Sequence, residues 1–170
     1  LTDASDSTAK LTCDTIAIMK REENRSRCPI NFTTEIFGDT WSMLIVRDMA
    51  ALGKQTFGEF LKSAERIGPS VLADRLAHLE RKGIIRKRTS VTDRRKVIYS
   101  LTERGLDVLP ILYEIAVFGS RHCPDPDDPD AWFRSLAYDR DLVLRLWREA
   151  IESGSSFFNG PDSVVGKLGL

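Results

Sequence analysis

Apolar positions divide the middle of this chain into short helices, one pair of strands and a longer helix. Cys28-Pro29 opens a helix on which Ile30, Phe32, Ile36 and Phe37 form a stripe, and Gly38 closes it. Asp39 or Thr40 caps the next helix, where Trp41, Leu44, Ile45, Asp48, Met49 and Leu52 keep helical spacing up to Gly53. Thr56 and Glu59 have capping-box spacing, which predicts a short helix burying Phe57, Phe60 and Leu61. Gly68-Pro69 then forces a turn, and the next helix buries Leu72, Ala73, Leu76 and Leu79 before stopping at Gly83.

The periodicity then changes. Ile85 leads into an alternating run, and Val97, Tyr99 and Leu101 share one face of a returning strand. Thr102 caps a long helix carrying Leu106, Leu109, Leu112, Tyr113, Ala116 and Phe118. Its apolar residues go nearly round the cylinder, more than one small domain covers, so a second copy of the chain is expected to cover it; the alternative cover is the chain's own C-terminal segment. Two short helices, a tight turn and a basic hairpin form a winged helix-turn-helix, the layout of a module that reads duplex DNA. The expected class is mainly α with a small β-hairpin wing (α+β). An N-terminal arm covers 1–27, the winged helix 28–122 and a helical C-terminal extension 123–170.

In the arm, Leu11 to Arg21 has the spacing of a short helix. Cys123 to Asp130 reads as an acidic, proline-broken linker. Beyond it, Trp132, Phe133, Leu142, Val143, Leu146, Trp147 and Ile151 predict one or two amphipathic helices, and the Gly/Ser-rich end from Ser153 is expected to be loose, with Phe157-Phe158 its candidate docking point.

Total charge is balanced, 25 basic against 25 acidic residues, but its distribution is not. Trp41 to Pro110 holds fourteen Lys and Arg against eight Asp and Glu, whereas Cys123 onward holds five against nine. A basic working surface with acidic flanks follows. No apolar run spans a bilayer and no signal-peptide pattern is present. With three widely spaced cysteines (Cys13, Cys28, Cys123), this predicts a reduced, cytoplasmic protein. No nucleophile–base pair, phosphate-binding glycine loop or metal-ligand cluster stands out, so neither enzyme nor cofactor is expected.

Setting Leu72, Leu76 and Leu79 inward turns Ser70, Val71, Asp74 and His78 to the opposite face, flanked by Arg75. With Thr56 and the hairpin-tip cations Arg94, Arg95 and Lys96, these are the candidate DNA contacts. Asp74 fits beside DNA by accepting from cytosine or by orienting Arg75. Two other readings stand beside this one. The long helix and extension could enclose a small-molecule pocket lined by Trp132, Phe133, Tyr138 and Trp147, or the winged helix could serve protein contacts alone.

Several segments resemble the HxlR-type transcriptional regulators: Cys28-Pro29, Gly38-Asp-Thr-Trp-Ser-Met-Leu-Ile-Val-Arg-Asp48, Phe57-Gly-Glu-Phe60, Ser70-x-Leu-Ala-Asp-Arg-Leu-x-x-Leu-Glu80, Gly83-Ile-Ile-Arg86 and Tyr99-Ser-Leu-Thr-Glu-Arg-Gly105. They run in family order from Cys28 to about Gly119. Asp93-x-Arg95 with Leu101-Thr-x-x-Gly105 is also similar to the wing of the related MarR regulators. The resemblance implies a homodimer, often a repressor, joined through the first and last helices of the domain: here Ile30, and Leu109, Leu112, Tyr113 and Ala116. It also implies that Cys28 is the candidate thiol sensor for oxidants or electrophiles. Arg25, Arg27 and the helix N-terminus are expected to favour its thiolate.

Overall fold

The computed structural model describes residues 25–91, 93–122 and 138–170. The helix expected over Leu11–Arg21, Cys13, Cys123, the acidic linker, Trp132 and Phe133 lie outside these. The order is α1 (Pro29–Phe37), α2 (Thr40–Leu52), α3 (Phe57–Phe60), α4 (Pro69–Arg81), β1 (Ile85–Thr89), β2 (Val97–Leu101), α5 (Glu103–Leu106), α6 (Leu109–His122), α7 (Arg140–Glu152) and α8 (Val164–Leu168). The chain is mainly α with a single antiparallel hairpin among the described residues, in which Ile85 pairs with Leu101 and Thr89 with Val97. The described residues divide into two units, one ending at Glu35 and a larger one beginning at Ile36.

Within the larger unit, α2 is the central strut, packed by α4, β2 and α6. Asp39 caps it by accepting from the backbone N–H groups of Trp41 and Ser42, and Gly53 ends it at φ +70°, a left-handed position that glycine fills without strain. Its buried face is broader than the predicted stripe. Ile45, Val46, Met49, Ala50 and Ala51 are all buried, while Leu52 is exposed.

The expected Thr56–Glu59 capping box is present. Phe60 is buried below α3, but Leu61 is exposed and Phe57 only half-buried, because α3 is a single turn and presents one residue inward. The turn to α4 is fastened from beneath. Buried Asp48 of α2 receives the Ser63 hydroxyl and pairs with Lys54 at 2.8 Å, and Lys54 reaches Ser63 at 2.8 Å. Arg47 joins Asp48 to Glu65. Burial works against the Arg47 charge, but bonds to Glu65 and Asp48 outweigh it and raise its pKa. The left-handed residue in this turn is Arg66, at φ +57°, while Gly68 has an ordinary φ of −71°.

One predicted long helix is two. Thr102 caps only α5, and α6 starts at Leu109. Pro110 explains the break: it lacks an N–H, and its ring would meet the carbonyl four residues back, at Leu106. The junction between wing and α5 is tight. The Thr102 hydroxyl donates to Gly83 O at 2.6 Å and accepts from the Gly105 N–H at 3.1 Å. A Cβ at Gly105 would sit 2.2 Å from the Ile84 carbonyl oxygen, which accounts for the Thr-x-x-Gly pattern.

The C-terminal segment from Ser153 is ordered, against the expectation of looseness, and it docks through Phe157-Phe158. Trp147 and Phe157 are fully buried, edge to face at 4.9 Å between centroids. The last carbonyls of α2, which no helical N–H can reach, are satisfied from this segment. Ala50 O accepts from Trp147 Nε1 at 2.8 Å and from Phe157 N at 3.2 Å. Ala51 O accepts from Phe158 N at 3.1 Å, and Leu52 O from Asn159 Nδ2 at 3.1 Å. Trp147 is therefore core rather than the wall of an aromatic pocket, and the Tyr138 hydroxyl donates to Leu168 O.

Candidate nucleic-acid interface

Helix α4 begins at Pro69, whose missing N–H costs nothing in a first turn, and stops at Gly83 with φ +69°. Leu72, Leu76 and Leu79 are buried as expected. The opposite side carries Ser70, Ala73, Asp74, Ala77 and Arg81, all exposed, with Val71 beside them. Ala73 was expected inside. It lies outside because burial follows the 72–76–79 line, and Ala73 is a quarter-turn away from it.

Two predicted contacts are turned inward. His78 is 8% exposed, and its Nε2 lies 3.2 Å from the Ile36 carbonyl, so this ring belongs to the packing behind α4 rather than to its outer face. Arg75 is bound to Asp39, Nη1 to Oδ2 at 3.2 Å, instead of being oriented by Asp74. Asp74 itself is exposed and has no protein partner among the described residues. Burial opposes the Asp39 charge, yet the Ser42 hydroxyl, the N–H groups of Ser42 and Trp41, and Arg75 together hold its carboxyl below the ordinary 3.8.

Thr56 is half-buried, and its hydroxyl accepts from Glu59 N. Glu59 answers by accepting from the N–H groups of Gln55 and Thr56 at 2.8 Å each. Burial again opposes the charge, but these bonds and the nearby Lys96 keep the Glu59 carboxyl below its ordinary value. The wing is thus coupled to the helix-turn-helix electrostatically as well as by the Tyr99 N–H, which donates to Gln55 O at 2.8 Å. Lys87 of β1 also reaches back to Glu80 of α4 at 2.9 Å.

At the wing tip, Arg94, Arg95 and Lys96 are exposed, and the Arg95 N–H donates to Asp93 Oδ1 at 2.9 Å. Arg94 and Arg95 have no side-chain partner among the described residues. The outward residues that the sequence reading missed are Ala73, Ala77 and Arg81. A helical projection from Leu72, Leu76 and Leu79 would have found the latter two. Small alanines let a helix approach base edges closely and can meet a thymine methyl.

The dimer residues divide differently. Leu109, Leu112 and Tyr113 are buried within the protomer, so they are not available as an outer face. Ala116 is half-buried, and Ile30 of α1 is 74% exposed. The exposed apolar residues of α6 are Ile111, Ile115 at 49% and Phe118 at 68%, spaced along one side of the helix. Cys28 is exposed immediately before α1, with its carbonyl accepting from Phe32 N at 3.0 Å. Among the described residues no group of acidic, His or Cys side chains is arranged to hold a metal ion, and no helix is long and apolar enough to cross a membrane.

A helix-turn-helix with a polar outer stripe, followed directly by a basic two-stranded wing, defines a winged helix-turn-helix transcriptional regulator. The profile of the HxlR-like helix-turn-helix family matches residues 36–127. The HTH-type transcriptional regulator YybR of Bacillus subtilis (strain 168) is 32% identical over 96 residues, which cover 56% of this chain and 76% of YybR. The structure of PA1607 aligns with a TM-score of 0.56 at 34% identity, over 62% of this chain and 72% of that one. The redox regulator HypR in its oxidized form aligns with a TM-score of 0.50 at 28% identity, over 59% of this chain and all of HypR (100%). This chain belongs to the HxlR-like helix-turn-helix family.

Proposed function

We propose that the protein is a homodimeric repressor that binds a pseudo-palindromic operator. The observation that carries this reading is the joint exposure of the α4 stripe and the partner-free cations Arg94 and Arg95 on one winged-helix unit. In it, α4 enters the major groove with Ser70, Val71, Ala73, Asp74 and Ala77 toward base edges. The wing lays Arg94, Arg95 and Lys96 along the adjacent minor groove and its phosphates. Arg75 and His78 act from behind, by holding α4 at its angle. The apolar side of α6, Ile111, Ile115 and Phe118, meets the same side of a second copy. Two-fold symmetry then sets the recognition helices ~34 Å apart, one turn of duplex.

Binding to phosphates releases counterions, so affinity for duplex DNA must fall steeply with salt. A titration at several salt concentrations tests this, and affinity independent of salt would instead favour a winged helix used for protein contacts. A finer reading concerns Cys28. Its exposure at the start of α1, together with the likeness to a redox regulator, supports a thiol switch acting on operator affinity. Operator affinity before and after diamide, in the natural sequence and in Cys28→Ser, decides it. Equal loss in both forms removes Cys28 from the role.

A further inference from the structure

Between the wing and the C-terminal segment lies an open cleft of about 290 Å³. One wall is the base of the wing, Arg86 and Ser100, and the other is the end of α7 with its following turn, Ile151 to Ser155. The family match ends at residue 127, so this second wall is a property of this chain's own extension. The floor is apolar: Leu101 and Leu106 are buried and Ile151 is half-buried.

The polar groups on this cleft are not evenly spent. Arg86 uses Nε on the Ser100 hydroxyl at 3.1 Å, which leaves its two terminal nitrogens without a protein partner among the described residues. The Gln55 carboxamide is likewise unpartnered. The acidic residues on the rim are already engaged, because Arg148 pairs with Glu103 at 2.9 Å and with Glu152 at 3.6 Å. The Glu103 side chain is also 84% exposed, turned largely to solvent. What remains is a planar guanidinium fork and an amide beside an apolar floor. A carboxylate matches a guanidinium fork in shape as well as charge.

We propose that this cleft binds a small monocarboxylate with a compact apolar body, its head on Arg86 and Gln55 and its body on Leu101, Leu106 and Ile151. Arg86 and Ser100 face each other across the hairpin, so an occupant fastens the wing to the C-terminal segment. That makes the cleft an effector site for the regulator proposed above. The consequence for DNA rests on that reading; the binding itself does not.

The test is an amide chemical-shift titration of the full chain with phenylacetate, against phenethylamine as a matched cation. Phenylacetate is expected to shift the signals of Gln55, Arg86 and Ile151, and phenethylamine is not. Arg86→Met is expected to weaken phenylacetate roughly tenfold or more, the loss of a bond to a charged group. Ile151→Trp, which fills the cleft from the other wall, must also abolish the response, so the test does not depend on the wing variant folding. No shift at these amides, an equal response to the amine, or unaltered binding in both variants overturns the site. A separate titration on duplex DNA keeps the two readings apart. Failure of the ligand-free protein to bind DNA sinks the regulator reading alone, whereas phenylacetate binding with unchanged DNA affinity sinks only the coupling.

Discussion

The guanidinium of Arg75 stands 3.2 Å from Oδ2 of Asp39, joining the outer helix of the helix-turn-helix to the first turn of α2. The same carboxylate caps α2, so one side chain sets both the start of the strut and the seat of α4. Asp39 is held below its ordinary 3.8, and its contribution is therefore complete above 3.8 and lost as pH falls through the lower folded value. Asp39→Asn keeps a cap but gives up this charge. Urea midpoints taken from neutrality down through 3.8 are expected to fall less steeply in Asp39→Asn than in the parent. Asp39→Ala, which removes the cap as well, is expected to cost about 1 kcal/mol at neutral pH. Identical acid slopes for parent and Asn form would remove the charge from this role.

The junction at Gly105 admits no side chain. A Cβ there meets the Ile84 carbonyl, a backbone atom that cannot swing away. Gly105→Ala is expected to destabilise by about 3 kcal/mol, the upper part of the range for overpacking. Gly58 has open space around it and serves as the control. Gly58→Ala is expected to be neutral or to stabilise by roughly 0.5 kcal/mol. Urea unfolding of both variants checks the contrast.

Phe157 fills the space beside Trp147 and leads the stretch that satisfies the carbonyls of α2. Phe157→Ala is expected to cost roughly 3–5 kcal/mol, as for a buried aromatic elsewhere. Cutting the chain after His122 leaves the Ala50, Ala51 and Leu52 carbonyls without these partners and uncovers the face under Trp147. Aggregation or a collapsed melting transition is the expected result. A stable, soluble 1–122 fragment would make the extension an accessory.

Much of the fold was readable locally. Thr56 and Glu59 are three apart, Leu72, Leu76 and Leu79 lie on one helical line, and Val97, Tyr99 and Leu101 alternate; each signal is complete within a few residues. The misses share a non-local cause. His78 is set outward by the projection from Leu72, Leu76 and Leu79, yet its partner is the distant Ile36 carbonyl. Arg75 has a ready acceptor beside it in sequence, Asp74, yet it pairs with Asp39, far back in the chain. The segment after Ser153 has a loose composition, yet its order comes from carbonyls about a hundred residues upstream. The break before α6 is different: its cause is local, the ring of Pro110 against the Leu106 carbonyl four residues back.

The two sides of α6 separate folding from assembly. Leu112 is buried within the protomer and Phe118 is exposed. Leu112→Glu is expected to unfold the chain, since it puts an unpaired carboxylate into the core. Phe118→Glu is expected to leave the helical content intact and to yield a monomer by sedimentation. A Phe118→Glu form that stays dimeric would place the interface elsewhere.

The most direct test of the account is hydroxyl-radical footprinting on a duplex selected from random sequence by this protein. Two protected half-sites in inverted orientation are expected, about 10 bp apart between centres, matching two α4 helices on one face of the duplex. Arg95→Ala should weaken protection across all sequences and reduce the salt slope by about one unit, as loss of a phosphate contact does. A single asymmetric patch bound by one protomer, or protection indifferent to Arg95, would contradict it.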